Sequence, residues 1–509
     1  MKMVPLFNRA LFRLLWVTGH INLPRRSVEG DWMTDSVFDD HDALGLAALV
    51  REGEVSASEL LDEAIDRVEA TDAELNVLAD RYFDFAREAI AAGLPDGPFT
   101  GVPFLRKDNG AEIAGLSSTS GTRLLADNTA VETSVLGQRF LDAGLVPFGA
   151  TAVPPLCVNI DSDRAPYGAC LNPWDLTRTP GGSSSGAAAV VGAGALPMTH
   201  GNDGGGSLRI PAAWSGAFTV KPSRGRVPSG PIYTEGWMGF AVEGVITRSV
   251  RDCAAAMDAI SGREVGVRYD APSPARPYAD EVTGECRPLR IAVLEATHSG
   301  EPFHPHHAQA TRDTADLLIG LGHQVEAASP PVDTGRIVAE LFKTVAVDVA
   351  NLLDDVAQER GVPVTDDELE ASVATFRRQG NIVAGKEYAR VNEVSMETAY
   401  ALDEFMQNYD LILSPTMPGP PPPIGEVYRH ENDAEALARH LDEFINMTMV
   451  QNVSGQPAAS VPLWWSPDGL PIGMMFSARY GDESTLFSIS GQLEQARPWW
   501  DKRPKRNDI

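Results

Sequence analysis

The 509-residue chain is poor in cysteine and in long apolar runs. Its four cysteines, Cys157, Cys170, Cys253 and Cys286, lie far apart and show no C-x-x-C spacing. This pattern argues against a disulfide framework and against a cysteine-ligated zinc site, and we expect reduced or buried thiols. No segment approaches the ~20 consecutive apolar residues that a membrane span requires, so we expect no membrane association.

Positive charge is also scarce. The chain has 42 lysines and arginines against 70 aspartates and glutamates, which gives a formal net charge of −28 at pH 7. Proteins that bind nucleic acid need a basic face to replace counterions, so no nucleic-acid partner is expected. An acidic surface is repelled by anionic membranes, and with no convincing export signal we expect a cytoplasmic protein.

The first 32 residues mix arginines with a short, broken apolar run and contain no A-x-A-like cleavage site. We interpret residues 1–32 as a peripheral extension or as the product of a start codon placed too early. Residues 499–509 form the expected C-terminal tail. The main domain is therefore expected over residues 33–498.

Glycine and serine are abundant in one stretch, residues 181–211, which reads GGSSSGAAAVVGAGALPMTHGNDGGGSLRIP. Two serine sites, residues 183–185 and Ser207, stand among glycines that let backbone N–H groups crowd around a ligand. Such preset donors are what a developing negative charge needs. A phosphate-binding loop would require G-x-x-x-x-G-K-[ST], or G-x-G-x-x-G after a strand, and neither is present.

This stretch resembles the amidase signature family, whose pattern is G-G-S-S-G-G, a small-residue helix, then G-x-D-x-G-G-S-[IL]-R-x-P. Residues 201–211 match the second half of the pattern in register. Two positions depart from the family: Ser185 in the first serine site, where glycine is usual, and Asn202, where threonine is common. Residues 101–108, GVPFLRKD, match a second family segment, G-V-P-F-x-x-K-D, which contains a lysine. The resemblance covers residues 33–498 and is strongest over 101–262, the signature core, and over 410–480.

The resemblance implies a catalytic triad without histidine. Lys107 is the expected base, Ser183 the expected relay on a cis peptide bond, and Ser207 the expected nucleophile; Ser184 and Ser185 remain alternatives for the relay. Only seven of the 42 basic residues are lysines. A buried lysine can lose its proton, whereas arginine stays charged, which favours a lysine in this role.

Three further expectations concern groups around the triad. The oxyanion hole is expected to consist of four backbone N–H groups, from Gly204, Gly205, Gly206 and Ser207. Asp203 and Arg209 are expected to brace the loop through an ion pair. Lys221 is the second choice for a catalytic lysine. The proline and turn residues that follow it indicate a structural role instead.

The alternation of strand and helix patterns predicts an α/β protein, and the resemblance implies a single large α/β/α domain with a mixed central sheet covered by helices. Helices are expected over residues 366–380 and 444–451. Residues 263–287 are expected to be irregular, because they contain prolines and no periodicity. The proline-rich residues 415–423 are expected to be neither helix nor inner strand.

The implied function is hydrolysis of the carbon–nitrogen bond of a small amide, to carboxylate plus amine or ammonia, without cofactor or metal. His304, His306 and His307 open a helix, but no carboxylate or cysteine at ligand spacing accompanies them, so we do not expect a metal site there. A homodimer is an open alternative to a monomer.

Three substrate classes stay open. A broad acylamidase is our first choice. The GNDGGGS segment and the tail ARPWWDKRP look similar to the branch of the family that hydrolyses 6-aminohexanoate cyclic dimers. A glutaminase subunit of a tRNA-dependent amidotransferase is the third, although the S-L-D-Q-like stretch expected there is replaced by GFAVEG.

Overall fold

A computed structural model describes residues 36–163, 165–232 and 235–505. The chain divides into a unit that ends at Ser36 and a compact unit that begins at Val37, and the described fold is that of the second. The expected extension, residues 1–32, lies outside the described residues, as do residues 506–509 of the expected tail.

Eleven strands of the described chain form one mixed sheet. Their bounds are β1 Leu78–Arg81, β2 Pro103–Lys107, β3 Val146–Thr151, β4 Met198–Asp203, β5 Phe218–Lys221, β6 Val242–Thr247, β7 Arg290–Val293, β8 Gln324–Ala327, β9 Leu411–Pro415, β10 Ala458–Trp465 and β11 Pro471–Ala478. Their order is β1-β3-β2-β4-β6-β5-β10-β11-β9-β7-β8. Strand β2 runs parallel to β3 and β4, and β7 runs parallel to β8 and β9. The other pairs are antiparallel.

Sixteen helices accompany the sheet in the described residues. Their bounds are α1 Val37–Asp40, α2 Ala43–Glu52, α3 Ala57–Leu75, α4 Phe83–Ala92, α5 Val135–Asp142, α6 Ser185–Gly192, α7 Arg209–Ser215, α8 Val250–Ile260, α9 Tyr278–Thr283, α10 Pro305–Gly320, α11 Thr334–Arg360, α12 Ala371–Gly380, α13 Gly385–Phe405, α14 Ala434–Ile445, α15 Met449–Ser454 and α16 Glu483–Ala496. The predicted α/β class with a mixed sheet is confirmed. None of these helices combines the length and the apolar character needed to cross a membrane.

The centre of the sheet positions the signature residues. Strands β2 and β4 are parallel neighbours, so Lys107 and Asp203, at their carboxyl ends, lie at the same edge. Helix α6 follows the serine cluster and is buried along its whole length. Its small residues permit close packing: a Cβ added at Gly186 would lie 2.1 Å from the carbonyl oxygen of Val77.

Two helix predictions need correction because distant side chains interrupt the helix. Residues 366–380 split into a 3-10 turn, Asp366–Glu368, and α12, since Glu370 turns inward. The buried Glu370 carboxylate accepts hydrogen bonds from Thr122 Oγ1 (3.0 Å) and from the N–H of Arg123 (3.4 Å). Residues 444–451 likewise span the end of α14 and the start of α15, because the chain breaks to bring Thr448 Oγ1 within 2.6 Å of the Gly205 carbonyl.

Two segments expected to lack regular structure contain some. Within residues 263–287, α9 forms because the Asp258 carboxylate accepts the N–H groups of Tyr278 and Ala279, at 2.7 and 2.9 Å. Pro415, placed by sequence outside any inner strand, is the last residue of β9 and pairs with Met474. At that point β7 has already ended its pairing with β9, so the missing N–H of proline disrupts no ladder on that side.

Candidate active site

Lys107 is fully buried at the end of β2, and its Nζ donates two hydrogen bonds. The acceptors are Ser183 Oγ at 2.7 Å and Asn202 Oδ1 at 2.6 Å. Burial lowers the pKa of Lys107, although Cys157, Glu243 and Asp203 act in the opposite direction. The geometry therefore holds an ammonium whose proton is easier to remove than that of an exposed lysine.

The three adjacent serines occupy different surroundings. The Gly182–Ser183 peptide bond is cis, as the resemblance predicts, and of the three side chains it is Ser183 that contacts Lys107. Ser184 Oγ donates to the carbonyl of Asn202 at 3.3 Å, and Ser185 Oγ is buried at the start of α6 without a partner. The contact with Lys107 favours Ser183 over the two alternatives.

Ser207 lies at the end of the glycine loop, two residues before α7, and is 7% exposed. Its carbonyl accepts the N–H of Ser184 at 3.3 Å, which joins the two serine sites through the backbone. Among the hydrogen bonds of the described residues, none joins the hydroxyls of Ser183 and Ser207 directly. Hydrogen bonds between catalytic groups are often longer before substrate binds. The lack of a direct hydrogen bond between these two hydroxyls is therefore compatible with a proton relay.

The glycine loop presents three backbone donors of the four expected. Within the described chain, the N–H groups of Gly204, Gly205 and Ser207 meet no acceptor. The N–H of Gly206 instead donates to Asp203 Oδ1 at 2.8 Å, so of the four expected donors it is the one already paired in this structure. The Asp203 carboxylate accepts this N–H because the loop folds back over the end of β4.

The expected ion pair between Asp203 and Arg209 is present and fully buried. Arg209 Nε and Nη2 lie 2.9 and 3.0 Å from the two carboxylate oxygens. Gln451 and Asn452 of α15 accept the remaining Arg209 hydrogen bonds, at 3.0 and 2.7 Å. Burial alone would raise the pKa of Asp203, but the Arg209 guanidinium holds it at about 2. The pair therefore ties the glycine loop to α15.

Three residues near Lys107 were not predicted from the sequence as part of the site. Asn202 accepts from Lys107 and donates through Nδ2 to Asn109 Oδ1 at 3.0 Å. His200 Nδ1 accepts the N–H of Lys107 at 3.2 Å, and its Nε2 lies 2.9 Å from Glu243 Oε2. Cys157 is buried, and burial raises the pKa of its thiol. Asn202 could have been found, because it departs from the family pattern; the other two carry no sequence signal.

Lys221 makes a local contact rather than a contact with the serines. Its buried Nζ donates to the carbonyl of Pro222 at 2.7 Å. Burial, reinforced by Arg209, lowers the pKa of Lys221 to about 7. This lysine is part of the core, in line with the structural interpretation.

The histidines at the start of α10 contact one another. The ring centroid of His304 lies 5.1 Å from that of His306 and 5.7 Å from that of His307. Across the described ranges, no group of three or more His, Cys, Asp or Glu side chains is arranged to hold a metal ion.

A cavity that is partly open to solvent has Ser207 in its wall. It is lined by Cys157, Val158, Asn159, Ile160, Gly205, Ser207, Trp237, Leu341, Phe342, Val345, Phe376, Leu441 and Ile445. Six of these thirteen lining residues are apolar side chains of α11, α12 and α14. The arrangement suits a compact, largely apolar ligand that reaches Ser207.

The fold, the buried lysine and the serine-bearing glycine loop define a hydrolase of the amidase class. The Amidase family model matches residues 59–487, and the chain belongs to that family. It is an amidase, which hydrolyses carbon–nitrogen bonds of amides.

Individual relatives cover nearly the whole chain. The chain is 35% identical over 476 residues to the 6-aminohexanoate-cyclic-dimer hydrolase of Paenarthrobacter ureafaciens. The matched region covers 91% of this chain and 96% of that relative. It is 35% identical over 477 residues to the putative amidase AmiC of Mycobacterium leprae, with 91% and 97% covered. A solved structure of a 6-aminohexanoate cyclic dimer hydrolase superimposes with a TM-score of 0.87 at 34% identity, and covers 92% of this chain and 99% of that one.

Proposed function

We propose that Lys107, Ser183 and Ser207 form the catalytic triad of this amidase. The observation that carries the proposal is the 2.7 Å contact between Lys107 Nζ and Ser183 Oγ beside a cavity that contains Ser207. A lysine buried without an exposed face loses its proton more readily, and a neutral amine can then accept one from a neighbouring hydroxyl.

In the proposed mechanism, neutral Lys107 takes the proton of Ser183, and Ser183 takes that of Ser207. Ser207 Oγ then attacks the amide carbonyl carbon, and the carbonyl π electrons move to its oxygen. The relay runs in reverse to protonate the departing nitrogen as the carbon–nitrogen bond breaks. The acyl-enzyme is hydrolysed by water along the same proton route.

The tetrahedral oxyanion is stabilised, in this proposal, by the backbone N–H groups of Gly204, Gly205 and Ser207. These three donors lack acceptors among the described residues, so no existing hydrogen bond has to break when the charge develops. The N–H of Gly206 has a different role, because its bond to Asp203 keeps the loop curved. Asp203 and Arg209 support the loop without contacting the substrate.

We propose a cyclic amide as the substrate class, ahead of the broad acylamidase expected from the sequence. Two relatives at 35% and 36% identity are named 6-aminohexanoate-cyclic-dimer hydrolases. The apolar cavity wall agrees with a substrate that is mostly methylene, because burying such groups is favourable whereas burying unpaired polar groups is costly.

The test is a hydrolysis panel with the purified chain alone: the cyclic dimer of 6-aminohexanoate, a linear aliphatic amide, an anilide and glutamine. We expect hydrolysis of the cyclic dimer, and loss of ~10³-fold or more in kcat for Ser207→Ala with no acyl-enzyme adduct by mass spectrometry. A Ser207→Ala enzyme near wild-type activity refutes the triad. Activity confined to anilides or linear amides refutes the cyclic substrate alone, and activity confined to glutamine favours the amidotransferase subunit.

A further inference from the structure

Asn159, in the wall of the cavity beside Ser207, has a buried hydrogen-bond donor that no other described residue uses. Asn159 lines the cavity and is 3% exposed, and its Nδ2 has no hydrogen-bond partner in the described residues. Buried amide N–H groups are nearly always paired, because leaving one unsatisfied is unfavourable. An unpaired donor in the wall of a binding cavity is a place for a ligand acceptor.

The orientation of this amide group is determined by its neighbour. Asn159 Oδ1 accepts the N–H of Ile160 at 2.8 Å. Turning the side chain over would set Nδ2, a donor, against that N–H, so the oxygen must occupy this position and the NH₂ group stays unpaired.

The segment that carries Asn159 is packed against the serine cluster. A Cβ added at Gly182 would lie 2.9 Å from the carbonyl carbon of Ile160, so the two backbones are in close contact beside Ser183. Asn159 therefore lies on a segment packed beside Ser183, one residue from that close contact. A group held this way can select substrates by position as well as by chemistry.

We propose that Asn159 is a specificity-determining residue whose Nδ2 donates to a second, neutral carbonyl of the substrate, so that the enzyme prefers diamides to monoamides. This inference rests on the proposed function of Ser207. The second acceptor should be uncharged, because none of the described residues lining the cavity carries a carboxylate, ammonium, guanidinium or imidazole group. A free carboxylate would be buried there without a counterion, which is unfavourable.

The first experiment uses the wild-type enzyme and three linear amides of equal length. One has a second amide, one replaces that amide with two methylenes, and one ends in a free carboxylate at the same position. We expect kcat/KM for the diamide to exceed that for the monoamide by about tenfold or more, with the carboxylate weakest. Equal values for diamide and monoamide, or a preference for the carboxylate, overturn the inference without any variant.

The second experiment tests the residue. Asn159→Asp keeps the oxygen that anchors the Ile160 N–H and removes the donor, and Asn159→Leu removes both; Asn408→Asp, at an exposed asparagine, is the matched control. We expect both Asn159 variants to lose most of the diamide preference, measured as the ratio of kcat/KM for the diamide to kcat/KM for the monoamide. The control should keep the preference.

The outcomes separate the two proposals. Equal losses of kcat/KM on the diamide and the monoamide in the Asn159 variants would show that Asn159 is only structural. Activity with an unchanged diamide-to-monoamide ratio would show that another group binds the second carbonyl. Either result overturns the inference. If Ser207→Ala remains active, the proposed triad fails instead. Should Asn159→Leu not fold, Asn159→Asp and the wild-type substrate ratio still decide.

Discussion

At the scale of the residue, the environment of Lys107 decides its chemistry. Burial lowers its pKa, while acceptors on Ser183 and Asn202 hold its Nζ in one place. These contacts connect residues 76 and 95 positions apart in sequence. A base at this site must exist in its neutral form in the working enzyme, which makes its behaviour dependent on pH.

We expect Lys107→Arg to be as inactive as Lys107→Ala, because a guanidinium cannot accept the proton although it preserves the charge. In the wild type, kcat/KM should rise with pH through the apparent pKa of Lys107 and stay high toward alkaline pH. Profiles of kcat/KM against pH for the three enzymes check this, since that ratio reports groups of the free enzyme. An arginine variant within about tenfold of wild type, or a wild-type rate that falls between pH 7 and 9, contradicts the base assignment.

Asn202 offers a second residue-scale test, because its Oδ1 is 2.6 Å from Lys107 Nζ. Asn202→Asp places a carboxylate beside the ammonium and should raise the pKa of Lys107. The part of the pH profile over which kcat/KM increases, the rising limb, should therefore move to higher pH. Asn202→Thr, which introduces the residue common in the family, should keep activity within about tenfold and leave the limb near its original position. A limb that stays in place in Asn202→Asp would show that Asn202 does not influence the base.

At the scale of the element, the glycine loop between β4 and α7 depends on one backbone conformation. Gly206 has a φ of +137°, a region that residues with a Cβ rarely adopt. A Cβ added there would lie 2.3 Å from Thr448 Oγ1 and 2.6 Å from Ile210 Cδ1. The same loop carries Ser207, so its shape and the position of the Ser207 hydroxyl are coupled.

We predict that Gly206→Ala lowers kcat by about 100-fold or more, since small displacements of a reacting group are costly. It should also lower the free energy of unfolding by roughly 1–3 kcal/mol because of backbone strain. The control is Gly335→Ala in α11, where the nearest atom to an added Cβ is 3.7 Å away and alanine favours the helix. Urea unfolding and steady-state kinetics measure both effects. A Gly206→Ala enzyme with wild-type kcat would show that the loop tolerates another conformation.

At the scale of the whole molecule, buried ionisable groups make stability depend on pH. Lys221 is buried in the central sheet with a pKa of about 7, against an ordinary value of 10.5. Between these values the unfolded chain binds the proton and the folded chain does not, so stability from this group rises with pH. It is fully present above about 10.5 and lost as pH falls through 7.

We therefore expect the stability of the wild type relative to Lys221→Met to increase from pH 7 to pH 10. The slope should approach about 1.4 kcal/mol per pH unit, the value for one proton. Urea denaturation at several pH values, with Lys386→Met at an exposed lysine as control, measures it. The control should differ from wild type by a constant amount. A flat difference for Lys221→Met would show that Lys221 stays protonated in the fold.

Several whole-molecule expectations stay predictions from the sequence: the domain limits at residues 33 and 498, a cytoplasmic location and a homodimer. Two long helices, α13 and α16, were not anticipated at all. Helix α13 has few buried residues, so the apolar stripe that would predict it is narrow.

The sequence by itself determined the α/β class, the amidase family and the residues Lys107, Ser183 and Ser207 as candidates, because these depend on local patterns of residue type and spacing. The packing of the sheet and its loops sets which serine contacts Lys107 and gives the hydrogen bond from Gly206 to Asp203. It also places Asn202 beside Lys107 and Asn159 in the cavity wall. These contacts join strands, loops and helices far apart in the chain, and their distances follow from how the sheet is ordered and packed.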